Sequence, residues 1–130
     1  MLNKIKIYVL FYYYHKLLTK QGMKPVLEEL KLKKYQNKNI YENVSVKELI
    51  DFCNNIEKVR IKHPLKEKAL CLHKSVLAYS LLIRKGIDVK LFIGIAQGEF
   101  EAHSWIEYSG TVLNDNHEYV KRKYRTIMEI

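Results

Sequence analysis

Up to Gly86 apolar residues recur at helical spacing, and after it the period shortens to that of strands. Residues from about 4 to 20 read as a first helix, which Gly22 breaks. Pro25 can open a short second helix carrying Val26, Leu27 and Leu30. The polar, Asn- and Lys-rich stretch 33–43 reads as a loop. Ser45-Val46-Lys47-Glu48 then fits a capping box, in which Ser45 and Glu48 each satisfy a backbone donor. Leu49, Ile50, Phe52, Cys53, Ile56 and Val59 continue it as a third helix, and His63-Pro64 marks a turn or a helix start. From about Lys68 to Lys85 a helix is apolar on most of its circumference, which puts it in the middle of a fold. Gly86 closes it as the C′ residue.

Beyond Gly86, residues 89–95 read as a buried strand. Ala102 to Tyr108 and Thr111 to Asn114 form a hairpin around Ser109-Gly110. Helices first and antiparallel strands second is the α+β pattern. The expected architecture is one domain over 1–130, with a helical part at 1–62 and a core at 63–130.

The composition sharpens this picture in two ways. A hydrophobic share of 48% excludes intrinsic disorder, and two cysteines are too few for a disulfide-stapled secreted framework. The net charge of +9 invites a nucleic-acid reading through Lys31, Lys33, Lys34 and Lys38, and through Lys121, Arg122, Lys123 and Arg125. The same charge suits an acidic polypeptide, and such runs are usually solvated faces, so no nucleic-acid partner is expected. The apolar run from Ile7 to Tyr14 is too short to span a bilayer, and no signal-peptide cleavage site follows it. The expected location is cytoplasmic, with peripheral membrane contact as an alternative for this helix.

Chemistry concentrates on Cys71, His103 and Asp115. A cysteine nucleophile needs thiolate character, which helix-start amides and a nearby imidazolium supply. A histidine serves as base and then acid, and a carboxylate fixes its tautomer. A two-residue loop at Ser109-Gly110 would pair His103 with Asn116 and turn Asp115 to the other face. A three-residue loop, Tyr108-Ser109-Gly110, would set His103 opposite Asp115, and this register is the expectation. Cys53 reads as a small core residue. His15, His63, His73 and His117 read as surface or loop residues. No metal-binding spacing or phosphate-binding glycine loop occurs, so no cofactor is expected.

The series Cys71-Leu72-His73-Lys74-Ser75-Val76-Leu77, Leu81-Leu82-Ile83-Arg84-Lys85-Gly86-Ile87, Phe92-Ile93-Gly94-Ile95, Ala102-His103-Ser104-Trp105-Ile106-Glu107 and Gly110-Thr111-Val112-Leu113-Asn114-Asp115 resembles the lasso-peptide biosynthesis leader peptidases. These are microcin-processing proteins with a transglutaminase-like, papain-like core. The resemblance covers about residues 68–125, and the spacings of 32 residues from Cys71 to His103 and 12 to Asp115 suit that family's triad.

It implies a central catalytic helix packed on a small antiparallel sheet, with Cys71 as nucleophile, His103 as base and acid, and Asp115 as its orienter. It implies a stand-alone cysteine protease that removes the leader from a ribosomally made precursor. A separate small recognition protein would present that leader, and the lasso cyclase would follow. Lys74, where the family usually carries an arginine, Trp105, Tyr12 and Tyr13 are the candidate substrate or partner contacts. A transglutaminase-like acyl transferase and a non-catalytic basic binding module are the alternatives.

Overall fold

The computed structural model describes residues 3–37, 43–65, 71–96, 98 and 101–130, with Cys71 entering through its backbone alone. Four helices lead: α1 (Lys4–Gln21), α2 (Met23–Gln36), α3 (Val46–Lys62) and α4 (Cys71–Arg84). Strands β1 (Lys90–Ala96), β2 (Ala102–Tyr108) and β3 (Thr111–Val112) follow, then α5 (His117–Lys123) and β4 (Tyr124–Glu129). The fold is α+β, as the sequence pattern predicts.

Local chemistry explains the helix boundaries. Asn3 Oδ1 caps α1 by accepting from the Ile5 amide at 2.8 Å, and Ser45 Oγ caps α3 by accepting from the Glu48 amide at 3.2 Å. Pro25 sits in the first turn of α2, where a missing N–H costs nothing. That helix runs on to Gln36, so the predicted loop at 33–43 is partly helical; its residues 38–42 lie outside the described part. Gly86, at φ 80°, ends α4 in a Schellman motif: its amide donates to Ile83 O at 3.0 Å, and that of Ile87 to Leu82 O at 3.1 Å. Where α4 begins relative to residues 66–70 lies outside the described part.

Every residue of α4 from Ser75 to Ile83 is buried, which places this helix between two layers. On one side, α1 contributes Ile7, Phe11 and Tyr14, α2 contributes Val26, Leu27 and Leu30, and α3 contributes Leu49, Cys53 and Ile56. On the other lies an antiparallel sheet in the order β3-β2-β1-β4, whose Leu91, Ile93 and Ile106 join the α4 core. The sheet's second face carries its own apolar layer of Trp105, Val112 and Tyr124, which Val120 of α5 closes.

Two departures from the sequence expectation reshape the site. First, the hairpin loop has two residues, Ser109 and Gly110, with Tyr108 paired to Thr111 and Glu107 to Val112. Both loop residues have positive φ, 49° and 83°, the signature of a type I′ turn whose twist matches the strands. The expected three-residue loop is therefore corrected. Second, α5 and β4 occupy a stretch that the sequence analysis read only as a basic run.

Candidate active site

His103 and Asp115 meet even though the register does not place them face to face. β3 ends at Val112, and only the Leu113 amide continues the ladder, donating to Ile106 O at 2.9 Å. At the next rung a side chain takes over: Asn114 Oδ1 accepts from the Ile106 amide at 3.0 Å. The backbone has by then left the pleat, so strict alternation no longer decides where Asp115 points. Asp115 Oδ2 lies 2.5 Å from His103 Nε2. Its other oxygen accepts from the Asn116 amide at 2.7 Å, which fixes the carboxylate. A carboxylate only accepts, so the His103 ring carries its proton on Nε2.

An aromatic layer supports this imidazole. The Tyr124 ring stacks on it at 4.9 Å between centroids and the Trp105 ring at 6.2 Å, and Phe92 stacks on the indole at 5.8 Å. Gly94 faces His103 across β1 and β2, and its missing side chain makes room for Trp105. Tyr124 is itself held: its hydroxyl donates to Glu101 Oε1 at 2.8 Å, and Lys123 Nζ lies 2.9 Å from Glu101 Oε2. Burial, then the Glu101 carboxylate, pushes the Tyr124 hydroxyl up to about 12, so it remains a donor. The hydrogen bonds from Lys123 and Tyr124 hold the Glu101 carboxyl below its ordinary range.

Cys71 is the first described residue of α4, and its side chain lies outside the described part. The backbone still locates it. Asn114 Nδ2 donates to Ser75 Oγ at 2.9 Å, and Ser75 is fully buried. Thus the neighbour of Asp115 is tied to a residue one helical turn beyond Cys71, about 6 Å along the axis. Cys53, the other cysteine, is 4% exposed in α3, and burial pushes its thiol up to about 12. It stays protonated and packs.

The other candidates fare differently. Lys74 Nζ lies 3.0 Å from Glu57 Oε2, and Arg60 also pairs with Glu57, so Lys74 joins α4 to α3. Burial alone would raise the Glu57 carboxyl, but the two cations hold it below the usual range. Trp105 is 1% exposed with its indole N–H bonded to Glu107 Oε2 at 2.8 Å; it backs His103 instead of offering a surface to a peptide. Tyr12 and Tyr13 are exposed on α1.

Of the histidines read as surface or loop residues, His63 lies in the turn after α3 yet is fully buried, while His73 needs correction, being nearly buried within α4. His63 Nδ1 accepts from the Leu65 amide at 3.1 Å, so its Nε2–H donates to Tyr8 O at 3.0 Å. His73 Nε2 meets His15 Nδ1 at 3.1 Å, and His117 Nδ1 accepts from the Val112 amide at 3.2 Å. Of the predicted basic runs, Lys33 pairs with Glu29, Lys34 with Asp88 and Lys121 with Glu107, while Lys38 lies outside the described residues.

Sequence reasoning missed Asn114, Ser75, Tyr124 and Glu101 as site supports. Asn116 followed by Glu118 in a first turn was the available sign of α5, and hence of where Tyr124 would land. Among the described residues no group of three or more His, Cys, Asp or Glu could hold a metal ion, and no helix is long and apolar enough to cross a membrane.

An α+β fold with a buried helix packed on a small antiparallel sheet is consistent with a transglutaminase-like core. The sequence matches the transglutaminase-like superfamily over residues 33–129, about three quarters of the chain, and the chain belongs to that superfamily. The match reaches upstream through α3, well beyond the stretch on which the sequence resemblance rests. Members of this superfamily are generally cysteine peptidases or acyltransferases. No curated protein and no solved structure matches the chain.

Proposed function

We propose that this protein is a cysteine peptidase that removes the leader from a ribosomally synthesised lasso-peptide precursor in the cytoplasm. The observation that carries the reading is the 2.5 Å bond between His103 Nε2 and Asp115 Oδ2, in a superfamily chain with Cys71 on α4. In this mechanism His103 Nδ1 takes the Cys71 proton and the thiolate adds to the scissile carbonyl. The resulting imidazolium, stabilised by Asp115, protonates the leaving amine, and a thioester to Cys71 remains. His103 then deprotonates a water that hydrolyses the thioester, releasing the acid and restoring the thiol.

Residues 1–130 act as one unit in this reading, and no cofactor is required. A separate leader-recognition protein presents the precursor, and a cyclase takes the freed core peptide. Cleavage of the precursor, supplied with its recognition protein and followed by mass spectrometry, is the test. Cys71→Ala should abolish the truncated product; cleavage at the wild-type rate in that variant refutes the assignment. A cross-linked product or ammonia loss without truncation would instead place the Cys71 thioester on a side-chain amide and assign the site to acyl transfer.

A further inference from the structure

The outer face of α1 and the end of α3 form a concave surface that the proposed peptidase chemistry does not use. Ile5, Tyr8, Val9 and Tyr12 recur on α1 at i, i+3, i+4 and i+7 and are 40–72% exposed, while Ile7, Phe11 and Tyr14 point into the core. Single exposed apolar residues are ordinary, but a contiguous set marks a contact surface. Ile5 and Tyr8, with Val59 and Ile61 of α3, line a groove of about 480 Å³, and Ile61 is 65% exposed. The remaining lining residues are Lys4, Lys58 and Lys62; no carboxylate is among them.

The floor is prepared in advance. Tyr8 and Tyr12 lie 4.5 and 4.6 Å from the buried His63 ring, whose bonds to Tyr8 O and the Leu65 amide clamp α1 to the end of α3. A rigid aromatic surface binds with little loss of side-chain freedom. Its occupant must cover apolar residues and neutralise three lysines. The chain's own charge of +9 disfavours a second copy on a basic rim. The concave shape receives a helix better than it receives a flat bilayer surface.

We propose that this groove docks an acidic, amphipathic helical segment of a partner protein, with apolar residues at i, i+3 or i+4 and i+7. Leu65 is bonded to the His63 ring beneath the groove, and only five residues separate it from Cys71, a reach of at most about 22 Å.

The test measures binding alone, so its failure and a failure of the peptidase assignment are distinguishable. A fluorescein-labelled amphipathic peptide of about fourteen residues, roughly four turns, carries Leu on one stripe and Glu elsewhere. A control peptide has every Glu replaced by Lys. By fluorescence anisotropy the acidic peptide should bind the full-length protein and the basic one should not. Lys58→Glu with Lys62→Glu, and separately Ile61→Asp, should each weaken binding at least about tenfold. These exposed positions leave the fold intact, which circular dichroism of each variant verifies. Equal binding of both peptides, or no effect of any substitution, overturns the proposal. So does flotation with anionic phosphatidylglycerol vesicles without binding of the acidic peptide, which would assign the face to a membrane.

Discussion

Gly94→Ala tests the coupling between packing and the imidazole most directly. A Cβ built on Gly94 meets Trp105 Cη2 at 2.7 Å, Trp105 Cζ3 at 2.9 Å and Tyr124 Cβ at 3.0 Å, where ordinary contact begins near 3.4 Å. Something must move by roughly 0.7 Å. The indole cannot retreat easily: it is 1% exposed, stacked on Phe92 at an interplanar angle of 8°, and anchored through Nε1 to Glu107. Overpacking of this kind costs about 1–3 kcal/mol, whereas replacing a strand glycine by alanine returns only about 0.5–1 kcal/mol. A net loss of about 1–2 kcal/mol is expected.

Trp105 is the chain's one tryptophan, so its fluorescence during urea unfolding reports both the stability and the disturbed environment. Because Trp105 and Tyr124 both stack on His103, the ring should be displaced as well. Turnover should then fall by about ten- to a hundredfold, the scale at which sub-ångström to ångström misplacement acts. Stability within about 0.5 kcal/mol of wild type with unchanged emission would refute the packing argument. A stability loss without a loss of turnover would detach the aromatic layer from the base.

Three further outcomes are expected. Asn114→Ala removes the acceptor for the Ile106 amide and the donor to the buried Ser75, which should cost about 2–4 kcal/mol in urea unfolding and slow cleavage; a loss below about 0.5 kcal/mol would show that water replaces both bonds. Burial, then the facing His15, holds His73 down to about 4 against 6.5 for a free ring. Between those pH values the unfolded state binds the extra proton. The neutral ring's contribution to stability is therefore complete above pH 6.5 and lost as pH falls toward 4. His73→Phe should shrink the difference in urea midpoint between pH 7 and pH 5, and an unchanged difference would mean that other groups set the acid limb. Iodoacetamide near neutral pH should alkylate Cys71 and spare Cys53, whose buried thiol is pushed up to about 12; equal slow labelling of both would argue against an activated thiol.

The helices were legible because their signals are local. The 3.6-residue period, the Ser45 cap and the Gly86 stop each act within one or two turns, and the structure places all three as the sequence predicts. The hairpin register was not legible, because residue-by-residue alternation holds only while the pleat continues, and here it ends before Asp115. In fact the side chain of Asn114 replaces a backbone rung and frees the next residue from alternation. The burial of His63 and His73 was hidden for a different reason: their ring partners, Tyr8 O and His15 Nδ1, lie 55 and 58 residues away in sequence. Helix α5 was masked by its run of basic residues, although Lys121 and Lys123 are tied to Glu107 and Glu101, and β4 follows it directly.

Asp115 touches the His103 ring in its plane and Tyr124 touches it on its face, and these two residues bracket a single short stretch of chain that contains all of α5. The two contacts are anchored differently: Asn114 holds the Asp115 end to Ile106 and Ser75, while Tyr124 depends on the pairing of β4 with β1. Local opening of β4 would therefore strip the ring of its stacked face while leaving its carboxylate in place. Hydrogen exchange at the β4 amides would report that opening, even where the melting temperature does not change.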